Sequence, residues 1–279
     1  MVPLPPDRGR RVSRGVVPHD VAGVLHAVLR DAYHLFRRLV EEGDVRVWQK
    51  GADDPVTHVD LQLDRYLRHR LLTAYPDHGW LSEESADDRK RLGKRAVWIV
   101  DPLDGTRQFV AGVPEYGISA ALVEQGRPVV GGVMLLDSGA LYLATRGGGA
   151  WRDDVRLRVS DVEALPEARV LVSRNQAARG HFADLEGDLL LRPLGSMALK
   201  LARVAEGYGA GTFTHETRHE CDVAAGALLV EEAGGRVTDG QGRLLEFNTP
   251  HARFAGVVAS NGRLHAPLLQ ALARSAKTR

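Results

Sequence analysis

The 279-residue sequence predicts a layered α/β protein with two sheets, and three observations carry that prediction. Apolar residues recur at helical spacing through the first part of the chain. Short β-rich segments separated by turn signals then occupy residues 116–151. Beyond about residue 159, strands and helices alternate.

In order, Val21, Val24, Leu25, Val28, Leu29, Tyr33, Phe36 and Val40 define the apolar face of a helix over 20–42, with Gly43 as its stop. The polar stretch 49–57 is loop or edge. A second helix runs from about residue 59 to Tyr75-Pro76. Asp60 falls in its first turn, where a carboxylate complements the dipole, and on that ground alone it is a capping charge. Residues 79–85 form a short strand ending in two acids, Glu83 and Glu84, a pattern common on surfaces. Residues 87–95 are a solvated, basic connection. Residues 96–100 form a buried β-branched strand, and 118–123, 129–136 and 140–145 an antiparallel meander. Residues 146–151 end the meander as a turn. They lack the Gly-Lys-Ser/Thr ending of a phosphate-cradling loop. Strands follow at 169–173, 189–192, 211–214, 236–238 and 256–260, with helices at 196–206, 222–233 and 263–275. Ser196 caps the first of these helices, and Gly234-Gly235 stops the second. The change of rhythm divides the chain into a flexible, basic tail (1–15), a helix-plus-antiparallel-sheet half (16–155) and an alternating half (156–279).

Composition narrows the function classes. With 44% hydrophobic residues, 26% charged residues and a net charge of +1, the chain is ordinary for a globular protein. Near-neutrality speaks against binding a nucleic-acid polymer or a membrane surface. The single cysteine, Cys221, excludes an intramolecular disulfide and fits a reducing compartment. No apolar run approaches a membrane span, and the N-terminus has no apolar signal core. The expectation is a soluble, cytoplasmic protein.

The chemistry concentrates in Asp101-Pro-Leu-Asp-Gly-Thr106, where a buried strand delivers two carboxylates onto a tight turn. Pro102 cannot donate to a ladder and Gly105 is free to take a positive φ. Two carboxylates three residues apart repel unless a cation sits between them, and a hard divalent ion accepts Asp oxygens and a turn carbonyl. Thr106 adds a hydroxyl and helix-opening amides suited to an anion. A bare Asp-x-x-Asp-Gly equally describes a capped strand-to-helix turn.

Four blocks in order make a longer pattern. They are Asp54-Pro-Val-Thr-His-Val-Asp60, Leu81-Ser-Glu-Glu-Ser85, Asp101-Pro-Leu-Asp-Gly-Thr106, and Glu220-Cys-Asp-Val-Ala-Ala-Gly226 followed by Glu232-Ala-Gly-Gly235. Together they resemble the inositol monophosphatase superfamily over roughly residues 20–260. The resemblance implies an αβαβα sandwich and a Mg²⁺-dependent, Li⁺-sensitive phosphomonoesterase that uses a metal-activated water. It implies two or three Mg²⁺ ions held by Glu83, Asp101, the Leu103 carbonyl, Asp104 and Asp222. It makes Asp60, Glu83 and Thr106 catalytic, and gives the amides of Gly105 and Thr106 to the phosphate. Gly195 and Ser196 would line the leaving-group side. Cys221 stands where the family usually has Trp; on its own it is a small buried hydrophobe. Relatives are often homodimers, which makes a homodimer an expectation here.

The substrate implied is a small phosphate ester. Leu81-Ser-Glu-Glu84, Asp104-Gly-Thr-Arg-Gln-Phe109 and Lys200 resemble the 3′(2′),5′-bisphosphate nucleotidase branch, which removes the 3′-phosphate of adenosine 3′,5′-bisphosphate. Lys200, His215 and Arg218, with His219, would then hold a second phosphate. Otherwise Lys200 is an exposed helical lysine and 215–219 a charged loop. The alternative is an inositol-1-monophosphatase, or a broad sugar-phosphate or histidinol-phosphate phosphatase.

Overall fold

The computed structural model describes residues 21–43, 45–51, 54–185 and 187–275; the expected tail, 1–15, lies outside them. Helices α1 (Val21–Glu41) and α2 (His58–Ala74) flank an antiparallel hairpin of β1 (Val47–Gly51) and β2 (Asp54–Thr57). The stretch expected as loop or edge is therefore paired strand. Its first strand is exposed throughout, so it carries no burial signal to betray it.

A seven-stranded sheet follows in chain order: β3 (Gly79–Ser82), β4 (Ala96–Asp104), β5 (Gly117–Glu124), β6 (Arg127–Leu135), β7 (Leu141–Thr145), β8 (Gly149–Arg152) and β9 (Val155–Arg156). Only β3 and β4 run parallel. The run 146–151, expected as a closing turn, instead contributes β8, and the meander continues into β9. A single helical turn, α3 (Thr106–Val110), leaves β4.

The second sheet holds five strands in the order β11-β10-β12-β14-β13. In chain order the elements are β10 (Arg169–Ser173), α4 (Arg174–Ala178), β11 (Leu190–Leu194), α5 (Met197–Ala205), β12 (Gly211–His219), α6 (Glu220–Glu232), β13 (Arg236–Asp239), β14 (Arg253–Ser260) and α7 (His265–Ser275). Strand β12 runs through the 215–219 segment expected as a loop. Its register slips between Thr214 and Thr217, a local irregularity that breaks the period-two pattern.

Strand alternation sorts the layers. Ala96, Trp98 and Val100 of β4 point to α1 and α2, while Val97 and Ile99 point the other way, to α5 and α6. Beyond those helices, Leu171, Val257 and Ala259 face the same core, whereas Val170, Val172 and Val258 turn outward to α7. The order is helices, sheet, helices, sheet, helix: the expected αβαβα sandwich. Small residues set the central spacing. A Cβ on Gly131 of β6 would stand 3.0 Å from the Ala225 Cα, and one on Gly226 would stand 2.5 Å from the Leu201 side chain. Helix α6 therefore packs almost directly on the sheet and on α5.

The 87–95 segment is a solvated connection, as expected, except at Arg91. Arg91 is 2% exposed, held by Asp87 and by Asn248 Oδ1 (2.7 Å) and the Thr249 carbonyl (3.0 Å). Among the described residues, no helix is long and apolar enough to cross a membrane.

Candidate active site

The site begins at a flaw in β4. Asp101 pairs with Ser119 and Asp104 with Gly117, so β4 carries one extra residue between them. Pro102, which has no N–H to give, falls in that bulge. Strand β4 thus continues to Asp104 rather than stopping at Val100. Gly105 then takes φ +102°, and a Cβ there would lie 2.6 Å from the Glu115 carbonyl. Only glycine makes this turn into α3 without displacing backbone.

The turn opens onto a polar cleft of about 330 Å³. Glu83, Asp101, Leu103, Asp104, Gly105, Thr106, Gly195, Ser196, Lys200, Arg218 and Asp222 all line it, as the sequence led us to expect. His215 does not: it lines a separate groove with Thr214, Gly240 and Gln241, because strand alternation near the β12 slip turns it away. Asp60 lies one layer behind the wall. Its Oδ1 accepts from Thr106 Oγ1 at 2.7 Å, and its Oδ2 from the Thr57 amide (2.9 Å) and hydroxyl (2.5 Å). Thr57 in turn caps α2, so Asp60 both completes that capping box and supports Thr106.

Charge is unbalanced at the floor of the cleft. Ligand atoms of Glu83, Asp101, Cys221 and Asp222 lie within 4.8 Å of one another. Burial, then the charges of Glu83, Asp104 and Asp222, pushes the Asp101 carboxyl well above the usual range. Asp222 is raised by burial and by Asp104 and Glu83. Asp104 stands outside the tight set but in the same cleft. Its Oδ2 is occupied by Ser196 Oγ (2.7 Å) and the Ala198 amide (2.6 Å). These bonds reduce, without cancelling, the upward push of burial on its carboxyl.

Two lysines answer part of this charge. Lys50, on the hairpin, reaches Glu84 at 2.7 Å and Glu83 at 3.2 Å. Burial would lower its ammonium, yet the two glutamates raise it on balance. Glu84 is no surface acid: its side chain is 5% exposed and burial lifts it to about 7. Lys200 is no exposed lysine either. It is 4% exposed, and burial, followed by the Arg218 charge, lowers it to about 8. No hydrogen-bond acceptor or ion-pair partner reaches it among the described residues.

The inositol monophosphatase family model matches residues 16–277. The chain belongs to the inositol monophosphatase family. An inositol-1-monophosphatase of Rhizobium meliloti is 37% identical over 227 residues, covering 78% of this chain and 85% of that relative. Nus factor SuhB of Escherichia coli K12 is 34% identical over 230 residues, covering 79% and 85%. Among solved structures, the Thermotoga maritima IMPase superposes with a TM-score of 0.82 at 29% identity, covering 93% of this chain and 99% of that one. SuhB of Bartonella henselae gives 0.79 at 31% identity, covering 90% and 98%.

As a member of this family the protein is a metal-dependent phosphatase acting on phosphomonoesters. The residues present fit a hard divalent ion. The donors at the floor are mainly carboxylate oxygens, and Asp101 has one hydrogen-bond donor of its own, the Leu103 amide. His219 lines the cleft beside Arg218, whereas the sequence alone does not reveal Lys50, Arg179 and Glu216, which share the cleft or its rim. They arrive from the hairpin, α4 and the irregular part of β12, and no local sequence signal joins them to the carboxylates.

Proposed function

We propose that the protein hydrolyses the phosphate monoester of a small polyhydroxylated ring, of the inositol 1-phosphate class. One observation carries this reading over a nucleotide: among the described residues the cleft is lined without a single Phe, Tyr or Trp. A nucleobase binds by stacking on such surfaces, whereas a cyclitol needs hydrogen-bonding groups all round, which this wall provides. Relatives named inositol-1-monophosphatase support the same choice.

Glu83, Asp101, Asp104, Asp222 and the Leu103 carbonyl would hold the divalent ions, Mg²⁺ being typical of the family, with Li⁺ inhibition expected alongside. Bound there, such ions supply Lewis-acid charge for displacement at phosphorus. The chain's own groups handle the proton. The Thr106 hydroxyl lies nearer to Asp60 (2.7 Å) than to the Leu103 carbonyl (3.0 Å). It therefore donates to Asp60 and turns its lone pairs to the cleft. Thr106 accepts the proton of the attacking water and passes its own to Asp60, whose carboxyl burial has raised. The amides of Gly105 and Thr106, which have no intrahelical partner, receive the phosphate oxygens. Gly195 and Ser196 act as framework, since the Gly195 amide donates to Glu115 (2.7 Å) and Ser196 is spent on Asp104.

Lys200 favours a second reading, a bisphosphate substrate, because a buried ammonium beside Arg218, with no hydrogen-bond or ion-pair partner among the described residues, suits a second anion. Relatives named fructose-1,6-bisphosphatase/inositol-1-monophosphatase fit it, and adenosine 3′,5′-bisphosphate belongs to the same class. The test is Mg²⁺-dependent phosphate release from inositol 1-phosphate, fructose 1,6-bisphosphate and adenosine 3′,5′-bisphosphate. We expect kcat/KM for inositol 1-phosphate to exceed that for the nucleotide by roughly tenfold or more. The reverse order would overturn the ring-phosphate reading.

A further inference from the structure

The sole cysteine of the chain stands inside the tight donor set. Cys221 Sγ and one carboxylate oxygen each of Glu83, Asp101 and Asp222 lie within 4.8 Å of one another, and Cys221 is 3% exposed. The sulfur is 3.6 Å from Asp222 Oδ1. The thiol donates to the carboxylate across that distance, which also matches the edge of a tetrahedral ion site. Metal–sulfur and metal–oxygen bonds of about 2.3 and 2.0 Å place the two donors about 3.5 Å apart. At the right angle of an octahedral ion, bonds of about 2.3 and 2.1 Å would place sulfur and oxygen only about 3.1 Å apart. The Asp222 carboxylate is itself nine-tenths buried and faces the cleft. Among the described residues it has no hydrogen-bond donor except that thiol. Its unused lone pairs point to a ligand the protein does not itself supply.

The geometry points to a second capacity of this cluster: Cys221 completes a one-sulfur, three-oxygen tetrahedral site for a borderline-soft divalent ion such as Zn²⁺ or Cd²⁺. The inference rests on the carboxylates being a divalent-ion site, and is independent of which ester is hydrolysed. On binding, the S–H bond breaks, a sulfur–metal bond forms and the proton leaves to solvent, with no change of oxidation state. Thiolate sulfur discriminates strongly for such ions over Mg²⁺. A low concentration of Zn²⁺ then holds Asp101 and Asp222 against a large excess of Mg²⁺.

The experiment titrates the full chain, stripped with chelator, with Cd²⁺ while recording the ultraviolet charge-transfer band of a cadmium–thiolate bond. With one cysteine in the chain, that band has one possible source. We expect it to reach a plateau at one Cd²⁺ per chain. Cys221→Ser should abolish the band and weaken Cd²⁺ binding in calorimetry by roughly tenfold or more. If that variant fails to fold by circular dichroism, the wild-type titration alone decides. Cd²⁺ bound without the band overturns the role of Cys221 and leaves the carboxylate site standing. No Cd²⁺ uptake by a chain that still releases phosphate in Mg²⁺ overturns the inference and leaves the phosphatase reading intact. Neither uptake nor Mg²⁺-dependent release removes both.

Discussion

Gly105 and Thr106 divide the work of the turn after β4, one by what it lacks and one by what it holds. Gly105→Ala forces a Cβ into the Glu115 carbonyl at a positive φ. We expect a loss of about 1–3 kcal/mol in urea unfolding, and a larger proportional loss of phosphate release, because the turn that moves is the one carrying Asp104. Thr106→Val keeps the shape and removes the hydroxyl that bridges Asp60 to the cleft. Its kcat should fall by about 10²-fold or more with the unfolding midpoint little changed, and near-normal turnover would exclude the proton relay. At this scale Asp101 and Asp104 were legible from the Pro and Gly beside them, whereas Glu83 and Asp222 were reached only through the family resemblance. Lys200 and Glu84 were not legible. Whether a charged side chain is buried depends on neighbours remote in the chain, Lys50 lying 34 residues from Glu84, and the same letters on an exposed helix or strand look identical. His215 was misplaced for a related reason: a slip of register inside β12 reverses which side chains face the cleft.

Two buried contacts show how elements are fastened together. His265, at the start of α7, lies between Thr238 of β13 and Ser260 of β14, with both ring nitrogens 2.9 Å from a hydroxyl. Thr238 Oγ1 already donates to the Asp239 carbonyl, so it accepts from Nε2–H, and Nδ1 accepts from Ser260. Burial, then the charge of Arg236, lowers this imidazole from 6.5 to about 4. Between those values the unfolded chain binds a proton that the folded chain refuses. The stabilising effect of His265 is therefore complete above pH 6.5 and is lost as pH falls toward 4, by up to roughly 3 kcal/mol. Urea unfolding of wild type and His265→Asn at pH 7 and pH 4.5 checks this; the variant's acid loss should be smaller. Arg91 ties the 87–95 segment to Asn248 and Thr249, whose amides are gripped by the fully buried Glu220 at the head of α6. Arg91→Leu should cost about 3 kcal/mol in urea unfolding, since Asp87 loses its cation and the 248–249 turn two hydrogen bonds. Helix and strand existence was readable from periodicity, and most boundaries fell within a few residues. The exposed hairpin and β8–β9 were lost because neither short nor solvent-facing strands leave a period-two apolar trace.

At the scale of the molecule, the five layers were legible once the alternating half was separated from the meander, because strands that bury both faces must have helices on either side. The position of the site between the layers follows from where the ligands sit. Asp101 and Asp104 leave the first sheet, Asp222 opens α6, and Ser196, at the head of α5, holds Asp104. Divalent ions held by these carboxylates would bind only the assembled arrangement. Mg²⁺ should raise the thermal midpoint in a concentration-dependent manner, the stabilisation reaching about 2.7 kcal/mol at a hundred times its Kd, and Asp104→Asn should blunt that rise. A midpoint indifferent to Mg²⁺ would contradict the ligand assignment.

The same layout bears on the rate at which the protein matures. Ser196 meets Asp104 across 92 residues of chain, and Ser119 meets the Cys221 carbonyl across 102. Contacts this remote carry a heavy loop-closure penalty and form after the local hairpins of the meander. We expect the four carboxylates to converge late in folding, beyond the rate-limiting barrier. Mg²⁺ should then leave the refolding limb of the chevron almost unmoved and slow the unfolding limb, so the ion acts on the lifetime of the finished molecule rather than on the speed of its making.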